Sequence, residues 1–215
     1  MTGHDTNRLR AGIGPRRRRT GSLPTLHFRA PSCALALAAL LSLAAATSTR
    51  AQASPPIEYQ VKAAFLFNFA KFVEWPPGTL RSEKDPIILC VFGHDPFGST
   101  LDEIVRGKTI NNREVLARRI VELSELKSCQ LVFVSKVEDK RLSEVLSSLK
   151  GTSALVVGEG EGFAGRGGGI QFFLEDKKLR FAVNVDAIQR AHLTVSSKLL
   201  ALASIVHDQD QQKGH

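Results

Sequence analysis

From residue 57 to residue 75 apolar side chains return every three or four positions, with Val61, Phe65, Phe69 and Phe72 in line and Ala64, Leu66 and Val73 beside them. That spacing predicts a helix with a broad buried face, stopped by Pro76 and Pro77. The next apolar block, Ile87–Phe92, is short, β-branched and unbroken, as suits a strand covered on both faces. After Gly93, Asp95 predicts the cap of a helix that runs through Ile104 and Val105 and closes at Gly107. Residues 113–121 alternate loosely, and Arg113, Arg118 and Arg119 place this strand toward an edge. Residues 131–135 predict a second buried strand. A polar helix over 138–149 follows, with Leu142, Val145, Leu146 and Leu149 inward and Gly151 at its end. Residues 154–157 form a third buried strand.

Past a glycine-rich loop, residues 170–174 and 179–184 flank Glu175, Asp176, Lys177 and Lys178, which reads as a β-hairpin. A short helix over 186–191 and a final one over 196–207, with Leu199, Leu200, Leu202, Ala203 and Val206 apolar, complete the pattern. From Asp208 the tail is polar and is expected to be disordered. Strand and helix alternate, so the fold class is α/β: a single domain whose mainly parallel sheet carries helices on both faces, with an antiparallel C-terminal hairpin at its edge.

The first 53 residues follow a different pattern. A basic stretch, Arg16 to Arg19 with Arg29, precedes a 13-residue apolar run from Ala34 to Ala46 and a small-residue ending, Ala51-Gln52-Ala53. That order marks a secretory signal peptide, and the run is shorter than the roughly 20 residues a membrane-spanning helix needs. Cleavage after Ala53 is expected, followed by an α/β domain over 54–207 and a tail over 208–215. The Arg cluster before Thr20 suits either a general secretory signal or twin-arginine export. Met1 is the only methionine, so a shorter translation start would use another codon.

Removing the leader changes the charge picture. The chain has 29 Lys and Arg against 21 Asp and Glu, but residues 1–53 hold eight of the Arg and one Asp, which leaves 21 basic and 20 acidic residues. The excess that would suggest nucleic acid belongs to the leader, and no later Lys/Arg cluster carries interleaved aromatics. The remaining 162 or so residues are enough for one domain that buries about 70% of its unfolded surface. Cys33 leaves with the leader; Cys90 and Cys129 remain. In an exported protein they point most simply to one disulfide, with two buried free thiols as the other reading.

Candidate chemistry is sparse. Gly160, Gly162 and Gly165 match the dinucleotide-binding spacing, but Arg166 and three glycines lead straight into a strand, where that motif requires a helix. Glu159 and Glu161 read as solvated loop charges. His94 and Asp95 follow a strand, a position where α/β sheets place ligand-binding groups, yet they lack the third ligand of a zinc set. There is no P-loop and no nucleophile elbow. Neither a catalytic residue, a cofactor site nor a metal site is expected, and the chain reads as a non-enzyme.

Several segments carry a family resemblance. Residues 59–76, YQVKAAFLFNFAKFVEWP, resemble the opening signature of the YfiR family of periplasmic proteins. Similar segments follow in family order: Cys90-Val91-Phe92-Gly93 with Asp95-Pro96-Phe97-Gly98, then Cys129-Gln130-Leu131-Val132-Phe133-Val134-Ser135. Gly162-Phe163-Ala164, Gly168-Gly169-Ile170-Gln171-Phe172, Phe181-Ala182-Val183-Asn184 and Ser196-Ser197-Lys198-Leu199-Leu200-Ala201-Leu202-Ala203 complete the set. The resemblance spans about residues 57–207. It implies a non-catalytic, usually dimeric α/β domain that binds the periplasmic sensor domain of an inner-membrane diguanylate cyclase and represses it, lowering cyclic di-GMP and biofilm formation. It also implies a bond between Cys90 and Cys129; some relatives carry a second pair that this chain lacks. A sensor kinase in place of the cyclase, or a periplasmic small-ligand-binding protein using the pocket near His94 and the glycine-rich loop, are the alternatives. Phe67, Trp75 and Phe163 are candidate partner-binding aromatics, because aromatics left outside the core mark interfaces.

Overall fold

The computed structural model describes residues 56–82 and 84–208. The expected leader over 1–53 and the tail beyond Asp208 lie outside these residues. The chain begins with helix α1 (Ile57–Phe72), which ends three residues earlier than expected. A proline ring clashes with the carbonyl four residues before it and biases the preceding residue toward extended conformations. For Pro76 those residues are Phe72 and Trp75. Val73 accordingly turns extended, and β1 (Val73–Glu74) pairs antiparallel with β9 (Thr194–Val195).

Eight strands form the main sheet. In chain order they are β2 (Ile87–Phe92), β3 (Thr109–Ile110), β4 (Arg113–Ile120), β5 (Leu131–Val134), β6 (Leu155–Gly158), β7 (Ile170–Glu175), β8 (Lys178–Asn184) and β10 (Ser204–Val206). Across the sheet the order is β10-β8-β7-β6-β5-β2-β4-β3. Strands β4, β2, β5, β6 and β7 run parallel, β8 returns antiparallel to β7, and β10 is parallel to β8. The hairpin turns on Asp176 and Lys177, whose φ values of 48° and 61° are those a two-residue type I′ turn requires.

The sheet separates two cores. On one face Leu89, Val91, Leu131, Phe133, Val157, Phe172 and Val183 meet Leu66 and Phe69 of α1 and Leu101 of α2 (Ser99–Val105). On the other, Cys90, Phe92, Val132, Val134 and Val156 pack with Leu142 and Val145 of α3 (Leu142–Ser148) and with Phe163. This arrangement explains the unbroken apolar strands: every residue of β5, and every residue of β2 except the partly buried Ile88, is buried. Val61, expected on the buried line of α1, is instead 40% exposed.

Three further expectations change. The helix foreseen over 138–149 opens as a 3-10 turn, Lys136–Arg141, before α3. Asp95 is not the cap of α2; it accepts the Phe97 N–H at 2.8 Å, and the helix begins only after Gly98. The final helix stops after one turn, as α5 (Ser197–Leu200), and residues 204–206 become the edge strand β10. The hairpin is thus one strand in from the edge. Ile205 and Val206 are β-branched and join the ladder beside Val183 and Asn184, where such side chains fit better than in a helix.

Polar contacts fasten this edge strand. Asp186, in α4 (Val185–Arg190), accepts the Asp208 N–H at 3.0 Å and lies 3.0 Å from His207 Nδ1. Asp208, expected in the disordered tail, is held further by Asn184 Nδ2 at 2.7 Å. The hydrogen bond from the Asp208 N–H, with that from His207, holds the Asp186 carboxyl below the usual carboxylate range. A depressed folded-state value stabilises above the unfolded value, near 4, and the benefit fades as pH falls through the folded value. Amide protection at residues 205–208 is therefore expected to persist above pH 4 and to drop below it, before the central strands open. Hydrogen exchange analysed as protection factors checks this, and equal loss across β10 and β5 would refute it.

Candidate functional site

The parallel strands leave a cleft at their carboxyl ends. Strand β2 connects onward to β4 on one side, whereas β5 pairs on its other side, so the chain reverses direction across the sheet between β2 and β5. Open α/β sheets bind ligands in the crevice outside such a reversal, because the two loops part there. Here His94, Asp95 and Pro96 leave β2, Ser135 and Lys136 leave β5, and Glu159 leaves β6. Together with Pro56 and Tyr59 at the start of α1 they line a cleft of about 720 Å³.

One wall is an ionic cluster. Lys62 is 3% exposed, and its ammonium bonds to Glu159 Oε2 and, at 2.5 Å, to Glu58 Oε1. The Tyr59 hydroxyl donates to Glu159 Oε1 at 3.0 Å, and the Lys62 ammonium lies 4.5 Å from the centre of the Tyr59 ring, a cation–π contact. Burial, then the charge and hydrogen bond of Glu159, push the Tyr59 phenol far above its ordinary value. It stays a donor at any physiological pH. The opposite wall is fastened by Arg119, which donates to Asp95 Oδ2 at 2.8 Å, to Asp102 Oδ1 at 2.6 Å and to the Gly98 carbonyl at 2.6 Å. Both carboxylates facing the cleft therefore already have cationic partners.

The glycine-rich loop after β6 lacks the strand–turn–helix form of a dinucleotide-binding motif. It leads into β7 without a helix, and Glu159 at its start belongs to the ionic cluster. Phe163 folds back beneath it: a Cβ on Gly158 or Gly168 would lie 2.3 or 2.1 Å from the Phe163 ring, so only glycine admits the ring there. The loop is tied to the sheet by Gln171 Oε1, which accepts the Ala164 N–H at 3.1 Å, and by Asn184 Nδ2, which donates to the Ala164 carbonyl at 2.6 Å.

A comparison with curated proteins finds no match. A family model described as YfiR/HmsC-like matches residues 59–204, well over half of the chain. The chain belongs to the YfiR/HmsC-like family. The matched segment runs from the ionic cluster at the start of α1 to the first residue of β10, so it contains the sheet reversal and both cores. Among the described residues of this YfiR/HmsC-like domain, no three His, Cys, Asp or Glu side chains are grouped to hold a metal ion, and no helix is long and apolar enough to cross a membrane.

The candidate residues named from sequence divide sharply. Cys90 and Cys129 form a disulfide, with 5.9 Å between their Cα atoms, which joins the middle of β2 to the segment just before β5. Phe163 is 0% exposed; enclosed by glycines and the second core, it is removed from any surface available to a partner. Phe67 and Trp75 are half-buried against the first core, and Trp75 Nε1 donates to the Gln130 carbonyl at 3.3 Å. His94 is exposed on the cleft rim. Sequence reasoning missed Lys62, Tyr59, Ser135 and Arg119. Glu58 and Lys62 sit one helical turn apart, a pattern readable in advance, but Glu159 is 97 residues further along.

Proposed function

We propose that this protein is a periplasmic, non-catalytic regulator that binds the periplasmic sensor domain of an inner-membrane signalling enzyme and represses it, with a diguanylate cyclase as the target. Family membership over residues 59–204 carries this reading: the YfiR/HmsC-like family is a regulatory one and points to periplasmic control of cyclic di-GMP signalling. The signal-like leader agrees with it, since a protein outside the cytoplasm reaches a cytoplasmic output only through a membrane-spanning partner. Homodimer formation belongs to the same proposal, and Phe67 and Trp75 remain candidate contacts for the membrane partner because each is only partly buried. Partner contacts concentrate in such aromatic anchors.

Deleting the gene is expected to raise cellular cyclic di-GMP and biofilm formation, and the exported protein should co-purify with the periplasmic domain of the cyclase. Unchanged cyclic di-GMP in the deletion strain would overturn the cyclase version. A sensor kinase recovered in the same co-purification would replace it.

A further inference from the structure

The polar groups lining the cleft at the β2–β5 reversal are filled on one side only. Both carboxylates have donors: Glu159 receives Lys62 and the Tyr59 hydroxyl, and Asp95 receives Arg119 and the Phe97 N–H. Two donors at the end of β5 have no such partners among the described residues. The Ser135 hydroxyl is buried, in a residue 3% exposed, and has no hydrogen-bond partner among the described residues. Leaving a buried hydroxyl unpaired costs free energy that a ligand acceptor would return. Lys136, the next residue, has no ion-pair partner among the described residues. The exposed His94 stands at the rim, and apolar surface comes from Pro56, Pro96 and Val137, of which Val137 is 69% exposed. A cleft of about 720 Å³ lies within the range of small-molecule sites, which join an apolar lining to a few convergent polar groups.

We propose that this cleft binds a small organic carboxylate, its charge on Lys136 and Ser135 and its apolar body against the prolines and Val137. The unfilled donors select an acceptor, and the carboxylates already neutralised by Lys62 and Arg119 do not repel one. The apolar lining selects an organic anion over an inorganic one, and the volume excludes a macromolecule as the seated group. Because α1, β2, β5 and β6 all contribute to the cleft, an occupant braces elements from both sides of the sheet reversal. The ligand site is independent of the partner's identity.

Titration of the ¹⁵N-labelled protein, as the cell produces it, with benzoate and hexanoate tests the inference, with benzamide and inorganic phosphate at matched ionic strength as controls. Both carboxylates are expected to give saturable shifts at Gly93, His94, Ser135 and Lys136, while benzamide and phosphate do not. Lys136→Glu, at an exposed position, should leave the remaining spectrum unchanged and weaken benzoate about tenfold, as loss of a charge-assisted contact does. Saturation by benzamide equal to that by benzoate, equal binding of phosphate, no saturable shift with either carboxylate, or indifference to Lys136→Glu would each overturn it. No membrane partner is present in the titration, so its failure would leave the regulatory proposal standing.

Discussion

Replacing Cys90 and Cys129 together by alanine is expected to lower the unfolding free energy by about 4 kcal/mol. The bond joins residues 39 apart in sequence, and closing a loop of that length removes a large part of the unfolded chain's freedom. Its placement adds to the effect. Cys90 lies within β2 and Cys129 just before β5, two strands that pair in parallel, so the bond ties together two central strands of the sheet. Both side chains are nearly inaccessible, at 1% and 4% exposure, and the alanines also leave a small cavity beside Val132 and Leu126. Urea unfolding of the wild type with and without dithiothreitol separates the two contributions, because reduction opens the loop and keeps the sulfur atoms. A double variant within about 1 kcal/mol of wild type, well below the chain-entropy value, would show that the bond only decorates a sheet already fixed by packing. For a protein proposed to work in an oxidising compartment, the expected result ties its stability to that compartment.

The sequence revealed the central strands most clearly because burial on both faces leaves one signature, an unbroken apolar run of four to six residues. Ile87–Phe92 and Leu131–Val134 appear where that signature places them. The C-terminal segment failed for the converse reason. Leu199, Leu200, Leu202, Ala203 and Val206 satisfy a helical period, but one turn followed by a strand satisfies it equally. The choice is made by the ladder that β8 offers to Ile205 and Val206, which local periodicity does not contain. The site was less legible than the fold. His94 and Asp95 were suspect from their place after a strand, but Glu159 was read as a solvated loop charge, and Lys62 sits in an otherwise aromatic stretch. Glu159 is in fact 6% exposed and paired to Lys62. Only the crossover topology, which sets the end of β6 beside the start of α1, makes them partners. Phe163 shows the same dependence: in sequence it is an aromatic in a mobile-looking loop, and in the fold it fills the space that Gly158 and Gly168 leave.

That dependence makes Lys62 the second position of large expected effect. Lys62→Met is expected to cost about 3–5 kcal/mol, the range for removing one member of a buried ion pair. The cost does not arise from Glu58, which is 40% exposed and can turn to water. It arises from Glu159, whose side chain at 6% exposure would lose its cationic partner and keep only the Tyr59 hydroxyl. The second substitution decides whether charge is the cause. In Lys62→Met/Glu159→Gln the charge is gone while the glutamine oxygen still accepts from Tyr59, so most of the lost stability should return, giving a coupling of roughly 2 kcal/mol or more in the double-mutant cycle. Urea denaturation of the four proteins measures it. If the double variant were as unstable as Lys62→Met, the loss would lie in the contacts of the ammonium with the Tyr59 and Phe172 rings, and the ion pair would contribute little to stability. If the coupling is found, the cluster is a charged strut between α1 and the end of β6, and the shape of the cleft is fixed by electrostatics on that wall as it is by Arg119 on the other.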